Sequence, residues 1–95
     1  MKFVWDESKN ISNKQKHGVS FEQAREIFSD PLHLSTLDER FSYFEERWIT
    51  IGITQKQYIL VVVHLYFDDD DEEIIRIISA RNATIHERRQ YEYEK

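Results

Sequence analysis

Between residues 76 and 91 the chain carries four arginines and a tyrosine, side-chain types that can hold a polyanion: Arg76, Arg81, Arg88, Arg89 and Tyr91. The guanidinium group is a planar fork of donors that matches the oxygens of a phosphate, and it keeps its charge at physiological pH. Arg76 and Arg81 interrupt apolar residues of a predicted strand, where a charged side chain needs a partner or an open cleft. Thr84 then opens a predicted helix, so free backbone N–H groups adjoin Arg81 and the arrangement predicts a phosphate site. For Arg88 and Arg89, pairing with neighbouring glutamates on a solvent-facing helix surface is the simpler interpretation.

Two histidines are candidates for proton transfer, because an unperturbed imidazole changes charge near neutral pH. His64 breaks the apolar run from Tyr58 to Phe67, which predicts a central strand. A lone histidine in such a strand is more often a hydrogen-bonded core residue than a catalyst, and both interpretations stay open. His17 precedes Gly18 at the end of a predicted helix, where the helix dipole favours a cation, so capping is the simplest explanation for it.

The net charge of −5 hides an uneven distribution. Six of the 18 acidic side chains form the run Asp68 to Glu73, and outside it 13 basic side chains face 12 acidic ones. Basic stretches lie at 8–21 and 76–89, so the overall charge does not exclude a nucleic-acid partner. The acidic run lacks the alternating spacing and the glycine of a calcium loop, and it predicts a solvated turn.

Length and composition limit the class of protein. The 95 residues predict one domain over 1–95. The absence of cysteine excludes disulfides, thiol nucleophiles and cysteine-rich zinc sites, and no metal site or cofactor is expected. The longest apolar run, Tyr58 to Val63, is far shorter than the ~20 residues of a membrane span. We therefore expect a cytoplasmic protein with no membrane partner.

Hydrophobic periodicity predicts an α+β fold in the order β-α-α-β-β-β-β-α. Helical spacing after the Ser20 capping box predicts a helix that ends at Asp30, and Thr84 with Glu87 forms a second capping box. The predicted strands cover 2–5, 32–36, 45–51, 58–67 and 74–81, and the predicted helices cover 6–16, 20–30 and 84–93. Short links favour an antiparallel meander sheet packed by two N-terminal helices and one C-terminal helix.

Strict alternation within the predicted strands assigns side chains to faces. In the strand over 45–51 it places Arg47 with Ile49 and Ile51. In the strand over 74–81 it places Arg76 and Arg81 on opposite faces. The register decides which of these arginines shares a face with His64.

Several runs of the chain resemble the BrnT family: Phe3-x-Trp5-Asp6, Asn13, Lys16 to Glu22, Phe28-x-Asp30-Pro31, Glu46-Arg47-Trp48, Gly52, Val61 to His64, and Arg76 to Tyr91. The resemblance spans nearly the whole chain, with the acidic run as its main departure. It implies a RelE-like fold and a ribonuclease toxin of a type II toxin–antitoxin pair that arrests translation by cutting RNA. It also implies a small ribbon-helix-helix antitoxin, BrnA, which neutralises the toxin and represses the operon with it, so that DNA is contacted only through the antitoxin.

Metal-independent RNA cleavage needs cations that hold the developing charge, together with a general base and a general acid. On chemical type, Arg47, Arg76 and Arg81 would clamp the phosphate. His64 or His17 would act as base or acid, with Lys16 assisting electrostatically. Tyr91 and Arg88 are candidates for contacts with the substrate, Tyr91 by stacking on a base.

Two other functions compete with the ribonuclease. A non-catalytic protein-binding module would use its exposed strand edges and apolar patches to bind a partner chain. Direct DNA binding is weaker, because no predicted helix has a basic recognition face with helix-turn-helix spacing.

Overall fold

The computed structural model describes residues 1–41 and 45–94. Helices and strands follow one another in the predicted order: β1 (Lys2–Val4), α1 (Glu7–His17), α2 (Phe21–Ala24), β2 (Leu34–Leu37), β3 (Trp48–Ile53), β4 (Ile59–Asp69), β5 (Glu72–Asn82) and α3 (Ile85–Glu94). Short 3₁₀ helices lie at Arg25–Ser29 and Glu39–Phe41. The predicted connection over 38–44 lies partly outside the described residues.

The strands form one five-stranded sheet in the order β1-β5-β4-β3-β2. β2 to β5 are the predicted antiparallel meander, and β4 is the central strand. β1 instead pairs in parallel with β5, with Phe3 opposite Ile75, so the sheet is mixed rather than wholly antiparallel. Parallel neighbours require a long crossover between them, and here α1, α2 and the strands β2 to β4 together form it.

The second predicted helix, over 20–30, is present but changes type along its length. The Ser20 hydroxyl accepts from the Gln23 N–H at 3.1 Å, and the Gln23 side chain accepts from the Ser20 N–H at 3.0 Å. This capping box starts α2, which tightens into the 3₁₀ helix and ends before Asp30-Pro31, as the proline predicts.

One face of the sheet, the helix face, packs against α1, α2 and the 3₁₀ helix that follows. Its core is built from apolar side chains of these helices and of the two long strands: Val19, Phe21, Ala24, Ile27, Phe28, Leu60, Val62, Ile75, Ile77 and Ala80. Phe3 and Trp5 pack against this cluster. The opposite face is covered less completely, and it bears the arginines.

A β-bulge in β5 changes which side chains share a face. Val63 pairs with Ser79, but the next residue, His64, pairs with Ile77, so Ile78 is an extra residue in β5. The buried Ile77 and Ala80 both belong to the helix-face core, three positions apart. The prediction that Arg76 and Arg81 lie on opposite faces is therefore wrong, because the bulge shifts the alternation between them.

A single buried side chain joins α1 to β5. The Asn13 amide donates to the carbonyl oxygens of Val19 at 2.9 Å and Ala80 at 2.8 Å, and its oxygen accepts from the Ala80 N–H at 3.1 Å. Asn13 is 7% exposed, so water does not readily replace these partners. This contact fixes the largely polar helix α1 on the sheet.

We predict that Asn13→Ala lowers the free energy of unfolding by about 2–4 kcal/mol, because it leaves buried backbone groups without partners. Urea denaturation monitored by circular dichroism measures the change. Ser12→Ala, at an exposed position of the same helix, is the matched control and should change stability by less than about 0.5 kcal/mol. Equal effects of the two substitutions would contradict the role assigned to Asn13.

Candidate functional site

The sheet face opposite α1 and α2, here called the arginine face, carries Arg76 and Arg81. Arg76 pairs with Leu65 and Arg81 pairs with Val61, and both of these buried β4 residues lie outside the helix-face core. The apolar side chains of this face on the outer strands, such as Leu34 and Ile49, are only half-buried. The face is thus an apolar surface with cationic side chains on it.

Arg47 lies on the same face, in a row with Leu65 and Arg76. It directly precedes β3, and its carbonyl accepts from the Asp38 N–H at 2.7 Å, so the chain is still paired with its neighbour there. Trp48 pairs with His64, which puts Arg47 level with Leu65. Adjacent strands are about 4.8 Å apart, so the Cα atoms of Arg47 and Arg76 are about 10 Å apart. Arg76 is exposed, whereas Arg47 is half-buried with its Nε shielded from solvent, so Arg76 is the more accessible of the two cations.

Arg81 lies farther along the same face and is already engaged. Val61 is four residues from Leu65 along β4, which is about 13 Å, so Arg81 lies at another level of the sheet from Arg76. The Arg81 guanidinium donates to both carboxylate oxygens of Glu87, Nη1 to Oε1 at 2.7 Å and Nη2 to Oε2 at 2.9 Å. These hydrogen bonds raise the pKa of Arg81 and lower that of Glu87 to about 2. The clamp of three arginines stays a prediction, and the structure adds that Arg81 is paired with Glu87.

Helix α3 lies over the Arg81 end of the arginine face. A cavity of about 100 Å³ remains under the helix, lined by Leu34, Thr36, Ile49, Ile51, Val61, Glu87 and Gln90. Tyr91 is the buried anchor of α3, and its hydroxyl donates to Asp30 Oδ2 at 2.5 Å. Burial is the larger cause and this hydrogen bond is the next, and together they raise the pKa of Tyr91 to about 12. Tyr91 therefore has no free ring for stacking on a base, whereas Tyr93, two residues on, is 84% exposed.

The Asp30 carboxylate organises the end of the sheet beneath Tyr91. It accepts from the Leu32 N–H at 3.0 Å and the Ile53 N–H at 3.0 Å. Burial raises the pKa of Asp30, but these bonds and the one from Tyr91 outweigh it, so the pKa lies below its usual value. Asp30 is thus an ionised anchor between β3 and α3.

His64 lies on the helix face and is fully buried. Its Nε2 is 2.6 Å from Thr50 Oγ1, which is in turn 2.6 Å from the Ser35 hydroxyl. Its ring packs edge-on against Phe28 and Tyr66. Burial lowers the pKa of His64 to about 4, so the imidazole is neutral near pH 7. The geometry agrees with the interpretation as a hydrogen-bonded core residue and gives His64 no access to the arginine face.

Lys16 and His17 end α1, on the helix side of the sheet. Lys16 is exposed and His17 is half-buried. Gly18 follows with a φ of 74°, and its N–H donates to the Lys14 carbonyl at 2.8 Å, which is the predicted helix end. A cavity of about 240 Å³ next to Gly18 is also lined by Asn82. Lys16 and His17 are therefore near the end of β5 that carries Arg81, but not next to the Arg47 and Arg76 row.

The acidic run forms the β4–β5 hairpin tip. Its six side chains are exposed, and Asp70 and Asp71 turn the chain with φ values of 50° and 67°. The run is solvated as predicted, but the turn is confined to Asp70 and Asp71, because β4 and β5 extend through the other four residues. The tip lies at the Arg76 end of β5, away from Arg81.

Comparison with known proteins places this fold among the ribonuclease toxins of type II toxin–antitoxin systems. The family model described as "Ribonuclease toxin, BrnT, of type II toxin-antitoxin system" matches residues 5–87. The chain belongs to this BrnT family, which confirms the resemblance seen in the sequence motifs.

A solved structure is also similar. The crystal structure of the Brucella abortus ribonuclease toxin BrnT aligns with a TM-score of 0.60 and 26% sequence identity, over 88% of this chain and 97% of that one. It supports the α+β fold. A search of curated proteins gave no match. Among the described residues, no helix is long and apolar enough to cross a membrane.

Sequence reasoning missed the pairing of Arg81 with Glu87. The capping-box spacing identified Glu87 as a ligand of the Thr84 N–H, a bond present at 2.9 Å. Nothing in that spacing indicated that the same carboxylate also binds Arg81. Arg88, the other predicted substrate contact, is exposed on α3 and stays a candidate.

We predict that the free energy of unfolding decreases as the pH falls from 6.5 towards 4, because protonation of His64 is harder in the folded than in the unfolded chain. The neutral, buried His64 contributes on the order of 3 kcal/mol to the free energy of unfolding. This contribution is fully present above the ordinary pKa of 6.5. Denaturant unfolding at a series of pH values measures the slope. His64→Gln should flatten the slope in this window, whereas His86→Gln, at an exposed position, should leave it unchanged. A slope that persists in His64→Gln would contradict the assignment.

Proposed function

We propose that this chain is the endoribonuclease toxin of a type II toxin–antitoxin pair and that it cuts RNA bound across the arginine face. The observation that carries the proposal is the grouping of Arg47, Arg76 and Arg81 on one face of the sheet. Guanidinium groups spaced along a surface can bind successive phosphates of one RNA strand. Membership of the BrnT family supports RNA as the substrate and arrest of translation as the outcome.

The cleavage chemistry that fits these residues is attack of the 2′-OH on the adjacent phosphorus. Arg47 and Arg76 approach one phosphate and stabilise the charge that develops on its oxygens. This reaction does not require a metal ion, since guanidinium groups supply the positive charge. His64 is buried on the opposite face, and His17 ends α1 with Lys16 on that same side of the sheet, away from this row. We therefore assign neither the general base nor the general acid of this reaction to a residue. Arg88 would contact a flanking phosphate from α3.

We further propose that the partner is a ribbon-helix-helix antitoxin and that the pair represses its own operon in the cytoplasm, with the antitoxin making the DNA contacts. The half-buried apolar side chains of the arginine face, such as Leu34 and Ile49, support such a partner. An antitoxin segment that covered them would bury apolar surface and exclude RNA from Arg47 at the same time.

The decisive experiment incubates purified, antitoxin-free protein with several RNAs, with and without ribosomes, and analyses the new ends. We expect 2′,3′-cyclic phosphate ends, which attack by the 2′-OH leaves. If no RNA is cut under either condition while the protein still binds its antitoxin, the chain is a protein-binding module and the enzymatic proposal is wrong.

We predict that Arg76→Ala lowers the cleavage rate about 10²–10³-fold, the range found when one donor to a developing anion is removed. Arg76 is exposed, so thermal stability should stay close to that of the unsubstituted protein. The matched control is Arg25→Ala, which removes an exposed arginine from the helix layer. It should retain full cleavage and full growth arrest on expression. Equal activity of the two variants would exclude Arg76 from the site.

A further inference from the structure

Three hydrogen-bond donors converge on the carboxylate of Glu87. Two are the terminal nitrogens of Arg81, and the third is the backbone N–H of Thr84, at 2.9 Å from Oε1. A charged fork together with a backbone N–H at the start of a helix is the donor set that proteins use to hold a phosphate. The three donors therefore form a site that suits an anion, and in the free protein the Glu87 carboxylate fills it.

The pair remains accessible from solvent. The side chains of Arg81 and Glu87 are 43% and 26% exposed, and α3 covers this end of the face without filling the space beneath it. The cavity is lined by Glu87 and not by Arg81, so an incoming anion reaches the guanidinium from its exposed side. Partial exposure also keeps the pair weak enough to exchange, because solvent screens it.

Helix α3 does not depend on the Glu87 carboxylate alone. The Thr84 hydroxyl accepts from the Glu87 backbone N–H at 3.2 Å, and the Tyr91 hydroxyl binds Asp30. The Glu87 side chain can therefore rotate away while the helix start and the Tyr91 anchor persist.

We propose that Glu87 is an internal competitor for phosphate at Arg81, so that RNA binding exchanges this carboxylate for a phosphodiester. The inference rests on the proposed function for the identity of the ligand. The exchange conserves the charge beside Arg81, since one monoanion replaces another, and it leaves Glu87 hydrated. In the free protein Glu87 therefore weakens RNA binding at this position of the arginine face.

The test measures the binding of a fluorescent 2′-O-methyl RNA oligonucleotide, which has no free 2′-OH and cannot be cleaved, by anisotropy at several salt concentrations. Glu87→Gln should bind about 5–10-fold more tightly than the unsubstituted chain. Its salt dependence should be steeper by roughly one phosphate contact. The matched control is Glu92→Gln, which removes the same charge from an exposed position of the same helix and should change the affinity less than about twofold.

A double substitution determines whether the effect acts through Arg81. In an Arg81→Ala background, Glu87→Gln should give no more gain than Glu92→Gln does. A gain that persists there, or a Glu87→Gln protein that binds no more tightly than the control, would overturn the proposal and leave Glu87 as a helix cap only.

Titration of the unsubstituted protein with inorganic phosphate gives a test that does not depend on a variant that folds. Phosphate should shift the Arg81 Nε–H resonance in NMR spectra saturably, and it should shift that of Arg25 much less. Equal shifts would reject the anion site. Because the RNA probe is not cleaved, a protein without ribonuclease activity still tests the exchange at Arg81. Conversely, failure of the exchange leaves cleavage at Arg47 and Arg76 intact.

Discussion

One extra residue in β5 determines which side chains the arginine face presents. Without Ile78 in the bulge, strict alternation would send Arg76 and Arg81 to opposite sides of the sheet, and one of them would enter the apolar core. A charged side chain there would lose hydration with no counter-charge, at a cost that this small core could not offset. The bulge lets Ile77 and Ala80 both stay in the core while both arginines leave it. Bulges are found near functional sites for this kind of re-aiming.

Many of the side chains that make the family resemblance specific have structural roles. Asn13 bonds to the backbone of β5, Tyr91 bonds to Asp30, and Glu87 binds Arg81. Each contact joins segments that are distant in the chain or belong to different elements. In a chain of 95 residues the apolar core is limited, so buried polar contacts fix the geometry that packing leaves undetermined.

Local periodicity was sufficient to predict the elements and their order, because a helix or a strand expresses its own period in sequence. It also predicted the central position of β4, since apolar side chains on both faces require cover on both sides. The parallel pairing of β1 could not be predicted, because it depends on which edge of the sheet is free after the meander forms. The face of Arg81 was mispredicted for a related reason, since a bulge leaves no turn residue or other marker in β5.

The candidate site was less predictable than the fold. Residue type alone identified Arg47, Arg76 and Arg81, but the same criterion selected His64, which is a buried core residue. An imidazole has the same sequence signature whether its nitrogens face solvent or a threonine hydroxyl. Only the register, which pairs Trp48 with His64 on the helix face, separates the two cases. The sequence also did not indicate the partner of Arg81, because helix capping already explained the position of Glu87.

The hairpin tip has an electrostatic consequence for the whole molecule. Six carboxylates gather at one end of the β4–β5 hairpin, whereas the last turn of α1, with Lys14 and Lys16, lies near the other end. These two groups of side chains separate negative and positive charge along the longest strands. A nearby polyanion exerts a torque on such a separation of charge and turns the lysine end towards itself before contact. At low ionic strength RNA would then meet the lysine end first and reach Arg76, which lies beside the carboxylates, only afterwards.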